Sequence, residues 1–521
     1  MRKSLILIFF YLASLRVGYS APNSERHVVL VVWDGMRPDF INSTNTPTLF
    51  ELANRGVFFA RNHPVYISST EVNGTALATG AYPEHSDIIG NREFRPEIEP
   101  LAPIDTESLA AMRKADEHGK YLAAPTLAEI LQGRGYTTVI SGTKPVVLLH
   151  DHAIRPNNAT NVVLFEGKTL PAGILPGLTN ALGQFSDRGY SKTNRDLWTA
   201  RALTEILWKK GVPSFSLMWM AEPDNTQHAK GVGAPESLAA IRNSDRALSL
   251  VISALKAQGV YDTTDIFVVS DHGFSTISGS VNIVEHLRRA GFNAVRKFDK
   301  PPKKDDVLLI GLGGSALLYV TGHEQKTIDE IVKALQTENS VGTIFTARGQ
   351  NGTFALDEGL IHSKDAPDIV FSFRWTTSTN AYGAPGRVIS ESQNSNGAAT
   401  TQSGTHASLS PYDMHNTLVA AGPDLRKGFV DEIPSGNLDV APTILKILSA
   451  KPPGTMDGRV LSEALVDSDA KPPKVEKKQL RAEATLPTGS WNQTLDVSEV
   501  NGVRYLDQGT GEFTPNVSAK P

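Results

Sequence analysis

Four short apolar runs divide the first half of the chain: HVVLVVW, Thr137 to Gly142, SFSLMWM and DIFVVS. None alternates with polar residues, so each predicts a strand buried on both faces. Between them lie segments with helical spacing. TPTLFELANRG has Pro47 in its first turn and Gly56 as its stop, and APTLAEILQGRGY, LWTARALTEILWKK and ESLAAIRNSDRALSLVISALKAQG follow the same logic. Strands alternating with helices predict an α/β fold with a mainly parallel sheet flanked by helices on both faces.

The pattern is interrupted twice. ISSTEVNGTALATGAYPEHSDIIGN, residues 67 to 91, reads as a turn of small hydroxyl residues opening a helix at Thr70, and residues 92 to 120 read as polar and irregular. Between about 280 and 400, VLLIGLGGSALLYVTG, a helix near EQKTIDEIVKALQTE, VGTIFTA and PDIVFSF suggest a smaller α+β insertion. NLDVAPTILKILSA then restores a helix of the first type. The expected organisation is a core of residues 22–279 and 401–465, a cap or lid over 280–400, and a polar C-terminal tail, 466–521, whose VNGVRYLD hints at an edge hairpin.

Composition narrows the setting. Arg2 and Lys3, an apolar run from Leu5 to Leu15 and small residues at Ser20 and Ala21 form a secretory signal over residues 1–21. The run is shorter than the roughly 20 apolar residues of a spanning helix. A secreted or periplasmic protein with no stable membrane span after signal removal is expected. The chain has no cysteine, which excludes disulfides, thiolate metal sites and cysteine nucleophiles. Its formal charge of -4 argues against broad binding to a nucleic-acid polymer.

Candidate chemistry sits where the apolar runs stop. Asp34 ends the first run, AEPDNTQHAKG after the third offers Asp224 and His228, and SDHG after the fourth offers Asp271 and His272. SGTHASLSPYDMHN adds His406, with Asp413 and His415 nearby. A parallel sheet carries its strand ends to one edge, where ligands of such folds bind, so scattered residues converge. Carboxylates and imidazoles without thiolates suit divalent ions, zinc first, with manganese or iron as alternatives. Thr70, at a helix N-terminus whose free N–H groups favour an anion, is the candidate nucleophile.

At these residues the chain resembles the alkaline phosphatase superfamily, and within it the type I phosphodiesterase/nucleotide pyrophosphatase branch, through WDG, the Thr turn with IIGN, EPDNTQH, SDHG and GTH in that order. The resemblance implies two divalent ions, Zn2+ foremost. Asp34, Thr70, Asp271 and His272 would hold one, and Asp224, His228 and His406 the other. It makes Thr70 a nucleophile that becomes transiently phosphorylated. Asn91 would contact a phosphoryl oxygen through its side-chain amide, helped by the backbone N–H of Glu71.

Two positions depart from that pattern. Nucleotide-handling members tend to carry an aromatic residue and then Pro-Asn after the nucleophile, where this chain has Glu71-Val72-Asn73. Related monoesterases carry Lys-x-Arg where this chain has Lys144-Pro145-Val146, which leaves Lys144 as a candidate phosphate contact and removes a bidentate guanidinium. The expectation is a phosphodiesterase or nucleotide pyrophosphatase acting on a small phosphate ester or diester. Alternatives are a phosphomonoesterase of the same superfamily and, more distantly, a non-catalytic metal-containing binding protein.

Overall fold

The computed structural model describes residues 26–186, 191–392, 402–466 and 472–516; the expected export signal lies outside the described residues. The largest sheet has nine strands: β1 (His27–Trp33), β2 (Val57–Phe59), β3 (Thr138–Gly142), β4 (Val162–Phe165), β5 (Lys168–Leu170), β6 (Phe215–Met220), β7 (Thr264–Val269), β8 (Leu418–Ala421) and β9 (Phe429–Asp431). Their order is β9-β2-β8-β7-β1-β6-β3-β4-β5. The central strands β7, β1, β6, β3 and β4 are mutually parallel. Two strands, β8 and β5, run antiparallel to their neighbours.

Strand β1 shows why the run is continuously apolar. Val28, Leu30 and Val32 enter a core with Val72, Leu77, Leu131 and Ile444, while Val29, Val31 and Trp33 enter another with Leu49, Leu52, Leu248 and Val251. Successive side chains of a strand point to opposite faces, and here both faces are covered. One cover includes helices α1 (Pro47–Arg55) and α5 (Pro235–Ala257); the other includes α2 (Thr70–Thr79), α3 (Leu127–Gly133) and α6 (Val440–Ile447), with α4 (Asp224–Lys230) at the strand ends. All ten residues of α2 are buried. Its small side chains permit that approach: a Cβ at Gly74 would lie 2.6 Å from Val146.

Register brings the strand ends level. Trp33 pairs with Met220, Val32 with Val269 and Gly142 with Trp219. Asp34, the Asp224 loop, Asp271 and Lys144 therefore leave the sheet on the same edge. His406 arrives by another route, immediately after the short strand Gly404–Thr405, which pairs antiparallel with Ser275–Val281, the strand that follows the SDHG segment.

Residues 283–373 supply a six-stranded sheet and two helices, Ile283–Arg289 and Gln325–Gln336. Leu308, Ile310 and Phe345 pack with Tyr66, Ile67 and Ile89, which flank α2 and its turn. Residues 92–120, expected to be irregular, contain paired strands Arg92–Glu93 and Ile104–Asp105 and a helix, Leu109–Asp116, capped by Ser108. These elements are too short to leave a period in the sequence.

The C-terminal segment also differs from a polar tail. Val475–Leu486, Gly489–Val500 and Val503–Pro515 form a three-stranded antiparallel sheet. Its outer strand carries the KVEKK charges and is largely solvated, which masks the strand in the composition. The middle strand buries alternate residues, including Trp491, Leu495 and Val497, against the 283–373 elements. Among the described residues no helix is long and apolar enough to cross a membrane.

Candidate functional site

Local geometry after β1 and β7 is enforced by glycine. Gly35 adopts φ 72, and a Cβ there would meet the Phe274 ring at 2.9 Å and the Asp224 backbone at 3.2 Å. The chain can thus turn beneath Asp34 and accept the Asp224 N–H on the Asp34 carbonyl at 3.0 Å. In SDHG a Cβ on Gly273 would lie 2.0 Å from the Tyr412 carbonyl, so only glycine permits that close approach.

The carboxylates are each held by one oxygen and left free at the other. Trp219 Nε1 donates to Asp34 Oδ2 at 2.9 Å, and the Gly35 and His272 N–H groups donate to Asp271 Oδ1 at 2.9 and 3.0 Å. Asp34 Oδ1, Asp224 Oδ1 and Asp271 Oδ2 are buried with no hydrogen-bond partner among the described residues. The histidines are oriented in the matching way. Nδ1–H of His228, His406 and His272 donates to the carbonyls of Gly404, Ser68 and Gly273 at 3.0, 2.9 and 2.9 Å. With Nδ1 so engaged, each Nε2 carries a lone pair, the tautomer a metal-binding imidazole needs.

Those lone pairs meet the free oxygens. His228 Nε2 lies 3.2 Å and His406 Nε2 3.8 Å from Asp224 Oδ1; His272 Nε2 lies 3.3 Å from Asp271 Oδ2 and 3.7 Å from Asp34 Oδ1. Asp224 and His228 occupy i and i+4 on α4, which places them on one face. The His272 and His406 rings stack at 3.7 Å. Two ligand groups result, Asp224–His228–His406 and Asp34–Asp224–His272, sharing Asp224. Buried anions facing lone pairs are costly without a cation, so the donor set fits divalent ions.

Charge within the cluster points the same way. Burial, and after it repulsion from Asp271, drives the Asp34 carboxyl well above the usual carboxylate range, and burial raises Asp271 to about 7. Burial opposes the charge on Lys144, yet Asp224 and Asp34 hold its ammonium well above the usual lysine range. Lys144 Nζ lies 2.8 Å from Asp224 Oδ2 and 2.9 Å from Asp34 Oδ2. The residue expected as a phosphate contact is thus engaged by two carboxylates of the cluster, an arrangement no local sequence signal encodes.

Thr70 is the first residue of α2, with extended Ser69 before it, and its Oγ1 is 3.3 Å from His272 Nε2. Asn91 stands beside it. The backbone N–H of Glu71, expected to share an oxyanion with Asn91, donates to Asn91 Oδ1 at 3.2 Å instead. That bond leaves the Asn91 amide as the group able to donate outward. Asp413 and His415 lie outside the cluster: Asp413 accepts from Ser275 Oγ at 2.6 Å and the Ser408 N–H at 3.0 Å, and His415 Nε2 bonds to the Ala60 carbonyl. Reading the chain alone missed Trp219, which anchors Asp34. That anchor has no motif of its own.

An α/β sheet whose strand ends gather carboxylates, imidazoles and a threonine hydroxyl at a helix start defines an alkaline-phosphatase-like protein. Within that class the pattern of the type I phosphodiesterase / nucleotide pyrophosphatase family matches residues 28–403, and the chain belongs to that family. Human ectonucleotide pyrophosphatase/phosphodiesterase family member 5 is 24% identical over 280 residues, which is 53% of this chain and 51% of that protein. Venom phosphodiesterase of Macrovipera lebetinus is 22% identical over 258 residues, 48% of this chain and 26% of its own length. The chain spans about half, or less, of the length of the curated relatives it matches. The structure of an inactive variant of murine ectonucleotide pyrophosphatase / phosphodiesterase 5, in complex with AMP, shares the fold at TM-score 0.57 and 19% identity, covering 82% of this chain and 96% of that one.

Proposed function

We propose that this protein is an exported two-metal hydrolase of phosphate esters, foremost a phosphodiesterase or nucleotide pyrophosphatase, working through a phospho-threonine at Thr70. The observation that carries the reading is the convergence of three unpartnered carboxylate oxygens and three imidazole Nε2 atoms beside one threonine hydroxyl. Asp34, Thr70, Asp271 and His272 would hold one ion and Asp224, His228 and His406 the other, with Zn2+ suited to the donor set. Bound ions there would supply Lewis-acid charge stabilisation and an acidified hydroxyl.

The chain's own groups do the rest. Thr70 Oγ attacks phosphorus in line with the leaving oxygen. The bond to the leaving alcohol breaks, the threonine proton passes to solvent, and the departing oxygen is protonated from solvent. Water then cleaves the phospho-threonine ester and restores the hydroxyl. The Asn91 amide donates to a non-bridging phosphoryl oxygen, fixed in that orientation by the Glu71 N–H on its carbonyl. Lys144, tied to Asp34 and Asp224, neutralises the rim, and the buried Val146 stands where related monoesterases carry a guanidinium to grip the extra charge of a monoester. That favours diesters over monoesters.

Residues 280–400 serve in this reading as a cap that sets the choice of leaving group. Export rests on the signal-like N-terminus and on the extracellular or venom setting that the relatives' names declare. The test is to quench metal-loaded protein with acid during turnover of a p-nitrophenyl diester and map phosphate by mass spectrometry. Phosphate on Thr70 supports the reading; turnover with no phosphorylated Thr70, and with Thr70→Ala equally active, overturns it.

A further inference from the structure

The glycine-rich corner of the cap, Gly311-Leu312-Gly313-Gly314-Ser315, has no role in the chemistry above, yet it reaches the ligand cluster. A Cβ on Gly314 would lie 2.7 Å from the Ser408 side chain and 2.8 Å from the His406 carbonyl, and one on Gly313 would lie 2.3 Å from Thr405 Oγ1. Glycine there lets the backbone close on the turn that carries His406. The Gly314 N–H donates to the His406 carbonyl at 2.8 Å. Beside it, Ser315 Oγ–H donates to the Ala407 carbonyl at 2.5 Å, and that committed hydroxyl accepts from Tyr66 Oη–H at 2.9 Å. Tyr66, Ser315 and Ala407 are fully buried.

The turn needs that hold. Ala407 adopts φ 75, a left-handed conformation in which its Cβ crowds the backbone, and it directly follows His406. Such a conformation persists only where the surroundings over-determine it. Here the contacts come from two sides. The cap supplies the Gly314 N–H and the Ser315 hydroxyl. From the turn before Thr70, the Ser68 carbonyl accepts His406 Nδ1–H at 2.9 Å and the Ser68 hydroxyl donates to the Ser408 carbonyl at 3.1 Å. Tyr66, two residues before Ser68, joins the two sides through Ser315. Beyond them Asp413 accepts from the Ser408 N–H at 3.0 Å. His406 is thus tied to the turn that presents Thr70 by a bridge whose middle hydroxyl belongs to the cap.

Building on the two-ion reading, we propose that Ser315 and Tyr66 are positioning residues for His406, so that the cap forms a fixed wall of one ion site. Release of the Ala407 carbonyl would free the turn to swing the His406 ring, whose Nε2 lies 3.8 Å from Asp224 Oδ1. The bonds of Ser315 and Tyr66 described here run to none of Asp34, Asp271 and His272, so the ion those residues would hold is spared. Removing a group that orients a metal-binding imidazole typically costs about 10- to 100-fold in metal affinity.

The experiment measures Zn2+ affinity by chelator competition in the full chain, in Ser315→Ala and in Tyr66→Phe, each also combined with His406→Ala. About tenfold or greater weakening of one ion by Ser315→Ala, with the other within about twofold, supports the proposal. So does the absence of any effect of Ser315→Ala on the ion that remains in the His406→Ala background. Unchanged affinities, both ions weakened alike, or a weakening that persists without His406 overturns it. If Ser315→Ala fails to fold, Tyr66→Phe, which keeps the ring and removes only the hydroxyl, is judged by the same outcomes. Hydrogen exchange of the metal-free chain gives a readout that needs no ion. Exchange across residues 404–410 about tenfold faster in Ser315→Ala or Tyr66→Phe than in wild type supports the clamp, and equal exchange overturns it. If wild type binds fewer than two ions, the two-ion reading fails separately and hydrogen exchange alone decides the clamp.

Discussion

Two buried polar clusters flank helix α2, and they are built on opposite principles. Near its C-terminal end Asp439 has both oxygens engaged: Oδ1 by the Arg459 N–H at 2.8 Å, Oδ2 by Tyr505 Oη–H at 2.7 Å and the Gly436 N–H at 2.8 Å. Arg459 in turn donates to the Pro434 carbonyl and to Tyr505 Oη. At the N-terminal end, Asp34, Asp224 and Asp271 each keep a buried oxygen with no donor, facing imidazole lone pairs. The first cluster completes itself and ties the C-terminal sheet to the core. The second stays open at those oxygens, as a site for divalent ions would. Burial alone therefore does not separate structural from functional polarity; several unmet carboxylate oxygens converging on imidazole lone pairs do.

Four experiments bear on that contrast, and the largest effect belongs to Thr70, the nucleophile we propose. Thr70→Ala is expected to lower kcat/KM for a p-nitrophenyl diester by on the order of 10⁴-fold or more, with metal content and fold retained by elemental analysis and circular dichroism. Stripping metal with a chelator comes next. It should lower unfolding free energy by about 3–4 kcal/mol per ion in urea titration if each ion was held at 100 to 1,000 times its dissociation constant, because the site carboxylates would lose their counter-charge.

Arg459→Met probes the other cluster and should act only on stability. Removing one partner of a buried charged set costs about 3 kcal/mol, seen as an earlier urea midpoint, while metal stoichiometry stays at the wild-type value. A loss of metal in that variant would erase the distinction between the clusters. The smallest effect concerns His150, whose Nε2 is also buried without a partner and whose ring meets Trp219 edge-on at 6.1 Å. Burial pushes it down to about 3, whereas the unfolded chain titrates near 6.5. The unfolded state thus binds the extra proton between those values. Stability is fully present above about 6.5 and falls as pH drops toward 3, by about 1.4 kcal/mol per pH unit. His150→Leu should flatten that slope in urea titrations between pH 6 and 4.

The ligand cluster was legible because each carboxylate follows an apolar run by a few residues at most, and a parallel sheet needs no further information to bring such ends together. Asp34, Asp224 and Asp271 are read from β1, β6 and β7 alone. His406 depends on the family resemblance, since Gly404–Thr405 is too short to announce itself as a strand. The engagement of Lys144 by two carboxylates depends on side-chain directions that residue order does not carry. The C-terminal sheet was hidden for a different reason. On its outer strand one face, Leu480, Ala482, Ala484 and Leu486, packs inward, but the exposed face and the first residues carry Lys and Glu, which overlay that alternation in the composition. The Asn501-Gly502 turn, with φ 52 and 86, was its one clear mark.

The central claim is that residues from β1, β6, β7 and the Gly404–Thr405 strand together hold two ions. Elemental analysis of dialysed, metal-reconstituted wild type and of His228→Ala/His406→Ala tests it directly. The account predicts about two divalent ions per chain in wild type and about one in the double variant, which keeps Asp34, Asp271 and His272. Equal metal content in the two proteins, or none in either, would contradict it.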